Sequence, residues 1–193
     1  MTPAPRILMI RHTRVCDSLK GLCYGATDVA LSKDADTEMD AVCQALTSKL
    51  PADIELTVVH SGLSRAARLA EKISNTFKTR EPAVDPRIQE MNFGEWELKS
   101  WQGIFLSVGH RMSDMIHKPE TYAPPGGETA HAVRDRVLAW YNDATAKTPP
   151  GVLTIAVSHG GPIAALRGTL AEQSAMEWPK LIPAYGEIID PTP

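Results

Sequence analysis

Four consecutive apolar residues, Ile7-Leu8-Met9-Ile10, are followed later in the chain by two more apolar, β-branched runs, LTVVHS at 56–61 and VLTIAVS at 152–158. Runs of this length without polar alternation predict short strands buried on both faces. Between and after them the apolar spacing changes to three and four. Met39, Val42, Cys43, Leu46 and Leu50 predict a helix over about 32–50, with Ser32 at its N-cap and Pro51 as its stop. Leu63, Ala66, Ala67, Ala70, Ile73 and Phe77 predict a second helix. Ile163, Leu166 and Leu170 predict a last one, with Pro162 in its first turn.

The middle of the chain is less regular. Residues 99–118 read as helical, YAPPGG at 122–127 as a loop, and 128–144 as a helix with Val133, Val137, Leu138 and Tyr141 on one side. Strands alternating with helices predict an α/β fold, a three-layer α/β/α sandwich around a mostly parallel sheet. The chain, 1–193, reads as one domain, and the segment between the second and last strand–helix units as a helical lid over the site.

The first strand does not end in a turn residue. It ends in Arg11 and His12, and burying a cation and an imidazole at a strand mouth costs desolvation energy unless an anion or hydrogen-bonding group meets them. The other strand ends are also polar. After the second, Ser61 leads into the helix bearing Arg65, which lies off that helix's apolar face; after the third come His159, Gly160 and Gly161. Ligands of open parallel sheets bind beyond the carboxyl ends of the strands, so two guanidiniums and two imidazoles converge at a glycine-opened helix start. That combination describes a phosphate site.

Composition narrows the partners. The net charge of -3 and a pI near 6.1 provide no whole-molecule attraction to nucleic acid or to an acidic membrane surface. Cys16, Cys23 and Cys43 form no disulfide framework or zinc spacing and read as reduced thiols in a cytoplasmic protein. The opening MTPAPRILMI reads as neither signal peptide nor membrane span. A homodimer stays open.

The motifs RHTR (11–14), SGLSRA (61–66), IQEMNFGEWE (88–97), PPGGET (124–129) and VSHGGPI (157–163) together resemble the histidine phosphatase superfamily of phosphoglycerate-mutase-like enzymes. The resemblance implies a phosphomonoesterase acting on a small-molecule phosphate ester through phosphohistidine. His12 would be the nucleophile, with Arg11, Arg65 and His159 clamping phosphate and Glu90 as proton donor. It also implies phosphate contacts at Ser18 and Gly160, a substrate side at Tyr24 and Gly25, and no metal or other cofactor. Glu95 and Glu97 are rival acids, otherwise read as solvated. The chemistry suits these residue types: a phosphate dianion must be neutralised before a neutral imidazole can attack, and an alkoxide leaving group needs a proton.

Some positions depart from the common family pattern. Thr13 and Arg14 follow the Arg-His pair, Ser18 stands where Asn is common, Gly62 replaces Pro, and Leu69-Ala70 replaces Thr-Ala. With GLCYGATDVAL at 21–31, these resemble the α-ribazole phosphatase branch. That branch implies α-ribazole 5′-phosphate, an intermediate of cobalamin nucleotide-loop assembly, as substrate. Tyr24, Phe93, Trp96, Trp101, Phe105 and Tyr122 could form a wall for its flat base. A broad sugar or nucleotide phosphatase, a phosphoglycerate mutase-like enzyme and a catalytically silent phosphate-binding module are the alternatives. His110, Asp114 and His117 at helical spacing are read as a solvated face rather than metal ligands, and Cys23 as a small packed thiol.

Overall fold

The computed structural model of the chain describes residues 7–192; the first six residues of the opening segment lie outside them. Its five-stranded sheet comprises β1 (Ile7–Arg11), β2 (Glu55–His60), β3 (Ala83–Val84), β4 (Val152–Ser158) and β5 (Ile188–Ile189). They run in the order β3-β2-β4-β1-β5. The pairs β1–β4, β2–β4 and β2–β3 are parallel, and only the β1–β5 edge is antiparallel. The three runs recognised from apolar continuity thus lie side by side at the centre. The short edge strands Ala83–Val84 and Ile188–Ile189 carry too little pattern to announce themselves.

Alternation along β1 explains why its sequence looks uniformly apolar. Leu8 and Ile10 face one layer with Met39, Leu46, Leu69 and Ile73, while Ile7 and Met9 face the other with Val137, Trp140, Ile163 and Leu166. The first layer is built by α1 (Ala35–Lys49) and α2 (Ser64–Phe77). The second is built by α5 (Ala130–Lys147) and α6 (Gly160–Leu170). Both faces of the strand are dry, so period two is invisible in hydrophobicity.

Between β3 and α5 lie α3 (Trp101–Val108), a 3-10 segment (Gly109–Ser113) and α4 (Asp114–His117). The expected single helix over 99–118 is therefore interrupted. Gly109 takes φ +60 and ψ -140, which ends α3. In α1, helical geometry begins at Ala35 rather than at Ser32, whose hydroxyl accepts from Asp34 N at 3.0 Å in a turn ahead of the helix. In α5 the most buried large residue is Trp140, while Leu138 and Tyr141 are only partly covered. No helix among the described residues is long and apolar enough to cross a membrane.

Candidate active site

Strand order places the chemistry. Because β2, β4 and β1 are neighbours and parallel, their carboxyl ends present Ser61, His159 and His12 in a row. His159 Nε2 lies 2.7 Å from Ser61 Oγ, and the ring centres of His12 and His159 are 5.1 Å apart. Both imidazoles are buried.

The tautomer of His12 follows from one contact. Its Nδ1 is 2.7 Å from the carbonyl oxygen of Thr13, which can only accept, so Nδ1 carries the proton and Nε2 keeps its lone pair. Burial, then the Arg65 charge, lowers the pKa of His12 to about 3, outweighing the opposing Thr13 bond. The ring is neutral and nucleophilic at physiological pH. His159 is likewise held well below the usual imidazole range by burial, then by the neighbouring His12, Arg65 and Arg11. Ser61 Oγ already accepts from Leu63 N at 3.3 Å, so its own proton is available for His159 Nε2. That assignment places the His159 ring proton on Nδ1, as a donor.

Arg65 is fully buried, contrary to its position off the apolar stripe. Its burial is satisfied by polar partners: Nη1 donates to Thr27 O at 2.8 Å and Nη2 to Gly25 O at 2.6 Å. Desolvation lowers its pKa, opposed by Glu90, Tyr24, Asp28 and Glu97. Arg11 donates to Pro183 O at 2.8 Å and packs its guanidinium 3.8 Å from the ring centre of Tyr185. Among the described residues, Arg11 Nε, Arg65 Nε and His159 Nδ1 are buried without a hydrogen-bond partner. A buried donor left unpaired costs about 1–3 kcal/mol, and three of them around a neutral histidine describe a cradle for an anion.

Glu90 lines a cavity together with Arg11. Its Oε2 accepts from Gly161 N at 3.3 Å and its Oε1 from Met91 N at 2.9 Å. A Cβ on Gly161 would collide with Glu90 Oε1, so the missing side chain is what admits the carboxylate. Gly160, expected at phosphate, lines the same cavity, as do Tyr24 and Gly25.

Ser18 does not join them. Its side chain is exposed on the 3-10 turn Asp17–Leu19, and its hydroxyl donates to Cys16 Sγ at 3.2 Å. Glu97 is not the solvated residue it was expected to be. It accepts from Ala26 N at 2.9 Å, Thr27 N at 2.7 Å, Phe93 N at 3.0 Å and the Thr27 hydroxyl. The loop from Gly25 to Thr27 is thereby held between the carboxylate of Glu97 and the guanidinium of Arg65. Glu95 is exposed.

The aromatic wall divides. Tyr24, Phe93 and Trp101 line a cavity of about 670 Å³. Trp96 is core and packs against Tyr122, and Phe105 is exposed with its edge against His110. Cys23 is fully buried, and burial, then Glu97 and Glu90, pushes its thiol up to about 12. His110, Asp114 and His117 do not converge, and no group of three metal-ligating side chains does so among the described residues.

Three participants are absent from the candidate residues read from the sequence. Tyr185 contacts Tyr24 hydroxyl to hydroxyl at 2.8 Å and stacks on Arg11. Arg136 donates to the carbonyls of Arg87, Gln89 and Glu90 while paired with Glu128, fixing the segment that bears Glu90. Asp28 caps the start of α2 by accepting from Ser64 N and Oγ.

The family model of the histidine phosphatase superfamily (branch 1) matches residues 7–189. Glucosyl-3-phosphoglycerate phosphatase of Mycobacterium tuberculosis (strain CDC 1551 / Oshkosh) is 28% identical over 186 residues, covering 92% of this chain and 80% of that protein. A solved mycobacterial glucosyl-3-phosphoglycerate phosphatase superposes with a TM-score of 0.79 at 27% identity, covering 96% of this chain and 88% of the other. The α-ribazole phosphatase from Shigella flexneri has a TM-score of 0.78 at 20% identity, covering 94% and 87%, a likeness of fold alone. With its sheet, its site and these relatives in agreement, the chain belongs to the histidine phosphatase superfamily and is a hydrolase of phosphate esters.

Proposed function

We propose that the chain is a phosphomonoesterase for small sugar- or glycerate-type phosphate esters, working through a phosphohistidine at His12. The observation that carries this reading is the neutral His12 with Nδ1 committed to Thr13 O, next to three unpaired buried donors. Nε2 attacks phosphorus as the ester P–O bond breaks, and Arg11, Arg65 and His159 Nδ1–H stabilise the charge on the equatorial oxygens. Glu90 gives the departing alkoxide its proton. It then takes one from the water that cleaves the P–N bond, restoring both residues and releasing inorganic phosphate. The sugar-type preference rests on likeness to the glucosyl-3-phosphoglycerate phosphatases.

A second reading, α-ribazole 5′-phosphate as substrate, is favoured by Tyr24, Phe93 and Trp101 lining the cavity, since aromatic faces suit a flat base. A kcat/KM panel of glucosyl-3-phosphoglycerate, 3-phosphoglycerate, glucose 6-phosphate, AMP and α-ribazole 5′-phosphate separates the two. Sugar- and glycerate-type esters are expected to be turned over at least as well as the nucleotide-like ones. A tenfold or greater preference for α-ribazole 5′-phosphate over all others would overturn the first reading in favour of the second.

A further inference from the structure

A second cavity of about 260 Å³ adjoins the catalytic one. Met91, Phe93, Trp101, Gly161 and Ile182 line both, so the two cavities are neighbours with these shared residues at their junction. Beyond the junction the walls are Met115 and Ile116 of α4, Val133 of α5, and Ala164 and Ala165 of α6. None of the lining side chains is ionisable, and the indole N–H of Trp178 is already donated to Gln173 O at 3.3 Å. A hydroxyl in this chamber finds no polar side chain to pair with, whereas a hydrocarbon group covers an apolar wall.

The junction coincides with the leaving-group side of the reaction. Glu90 lines the catalytic cavity with its carboxylate against Gly161, and Gly161 belongs to both spaces. An ester oxygen placed to receive a proton from Glu90 lies beside Gly161, which the two cavities share. We infer that the chamber is a leaving-group subsite for an apolar portion of the substrate alcohol, so that among the esters this site accepts an added alkyl or aryl group raises kcat/KM. This inference rests on the phosphatase reading of the same site and specifies the kind of ester that site prefers.

The test is a series of methyl, propyl and pentyl phosphates, whose alcohols are similarly basic, with the matching alkylphosphonates as non-hydrolysable competitors. For the parent enzyme, kcat/KM is expected to rise about three- to fourfold per added methylene, and the phosphonate inhibition constants to fall in step. Ala165→Phe and Ile116→Trp both fill the chamber, the second from a half-buried lid position that tolerates bulk. In either variant the pentyl-to-methyl ratio is expected to collapse towards one, a ratio independent of how much of the protein is folded. A flat series in the parent, or a gain that survives both substitutions, would overturn the subsite while continued hydrolysis of methyl phosphate left the phosphatase reading standing. A phosphonate trend without hydrolysis of any ester would support the subsite and overturn the phosphatase reading. Absence of both hydrolysis and phosphonate binding would overturn both.

Discussion

At His12 a single carbonyl decides the chemistry. Thr13 O takes the Nδ1 proton, burial and Arg65 keep a second proton off, and Nε2 is left as the nucleophile. Glu90 has the complementary task, and its position depends on the absence of a side chain at Gly161. A proton donor matters in proportion to the basicity of the leaving group. Glu90→Gln is therefore expected to lower kcat/KM for an alkyl phosphate by about 10²–10⁴-fold while leaving p-nitrophenyl phosphate hydrolysis nearly untouched. Parallel steady-state assays on the two esters check this, and equal losses on both would assign Glu90 a structural role.

At the level of elements, the parts of the fold that repeat along the chain were readable and the parts made by distant contacts were not. β1, β2 and β4 announced themselves by unbroken apolar runs, and their polar exits Arg11-His12, Ser61 and His159 pointed to the site directly. Arg65 was expected at a strand exit but misread as lying off the core, where it is fully buried. Helical spacing does not reveal that the Gly25 and Thr27 carbonyls would fold over it. Glu97 was misread for the same reason, its partners lying about 70 residues away in the loop it holds. Tyr185 meets Tyr24 across 161 residues of sequence, from a segment with neither periodicity nor motif. For Ser18 a motif position fixes sequence spacing but not partners, and its hydroxyl, in a one-turn 3-10 segment, meets Cys16 Sγ. The lid was legible as a helical insertion, yet not its interruption at Gly109.

For the molecule as a whole, a site built from buried neutral histidines has a stability signature. His12 and His159 both have lowered pKa values, with burial the leading cause in each. In the unfolded chain each takes up a proton below about pH 6.5, which the fold refuses. Their contribution is complete above that pH and is lost as pH falls towards the folded values, about 3 for His12. Between pH 6.5 and 4.5, above the range where Asp85 and Asp143 begin to protonate, unfolding free energy is expected to fall by up to about 1.4 kcal/mol per pH unit per histidine. Urea titrations across that window check it, and a constant or rising midpoint on acidification would contradict the buried neutral pair.

The same arrangement of charge and burial makes one covalent claim, that phosphate passes through His12. Rapid quench of the enzyme with a phosphate-labelled ester, followed by peptide mapping under alkaline conditions that preserve phosphohistidine, tests it directly. The expected result is acid-labile label on the peptide carrying His12, formed within a single turnover, chased by unlabelled substrate and absent from His12→Ala. Label at another residue, or turnover in His12→Ala at the parent rate, would contradict the account.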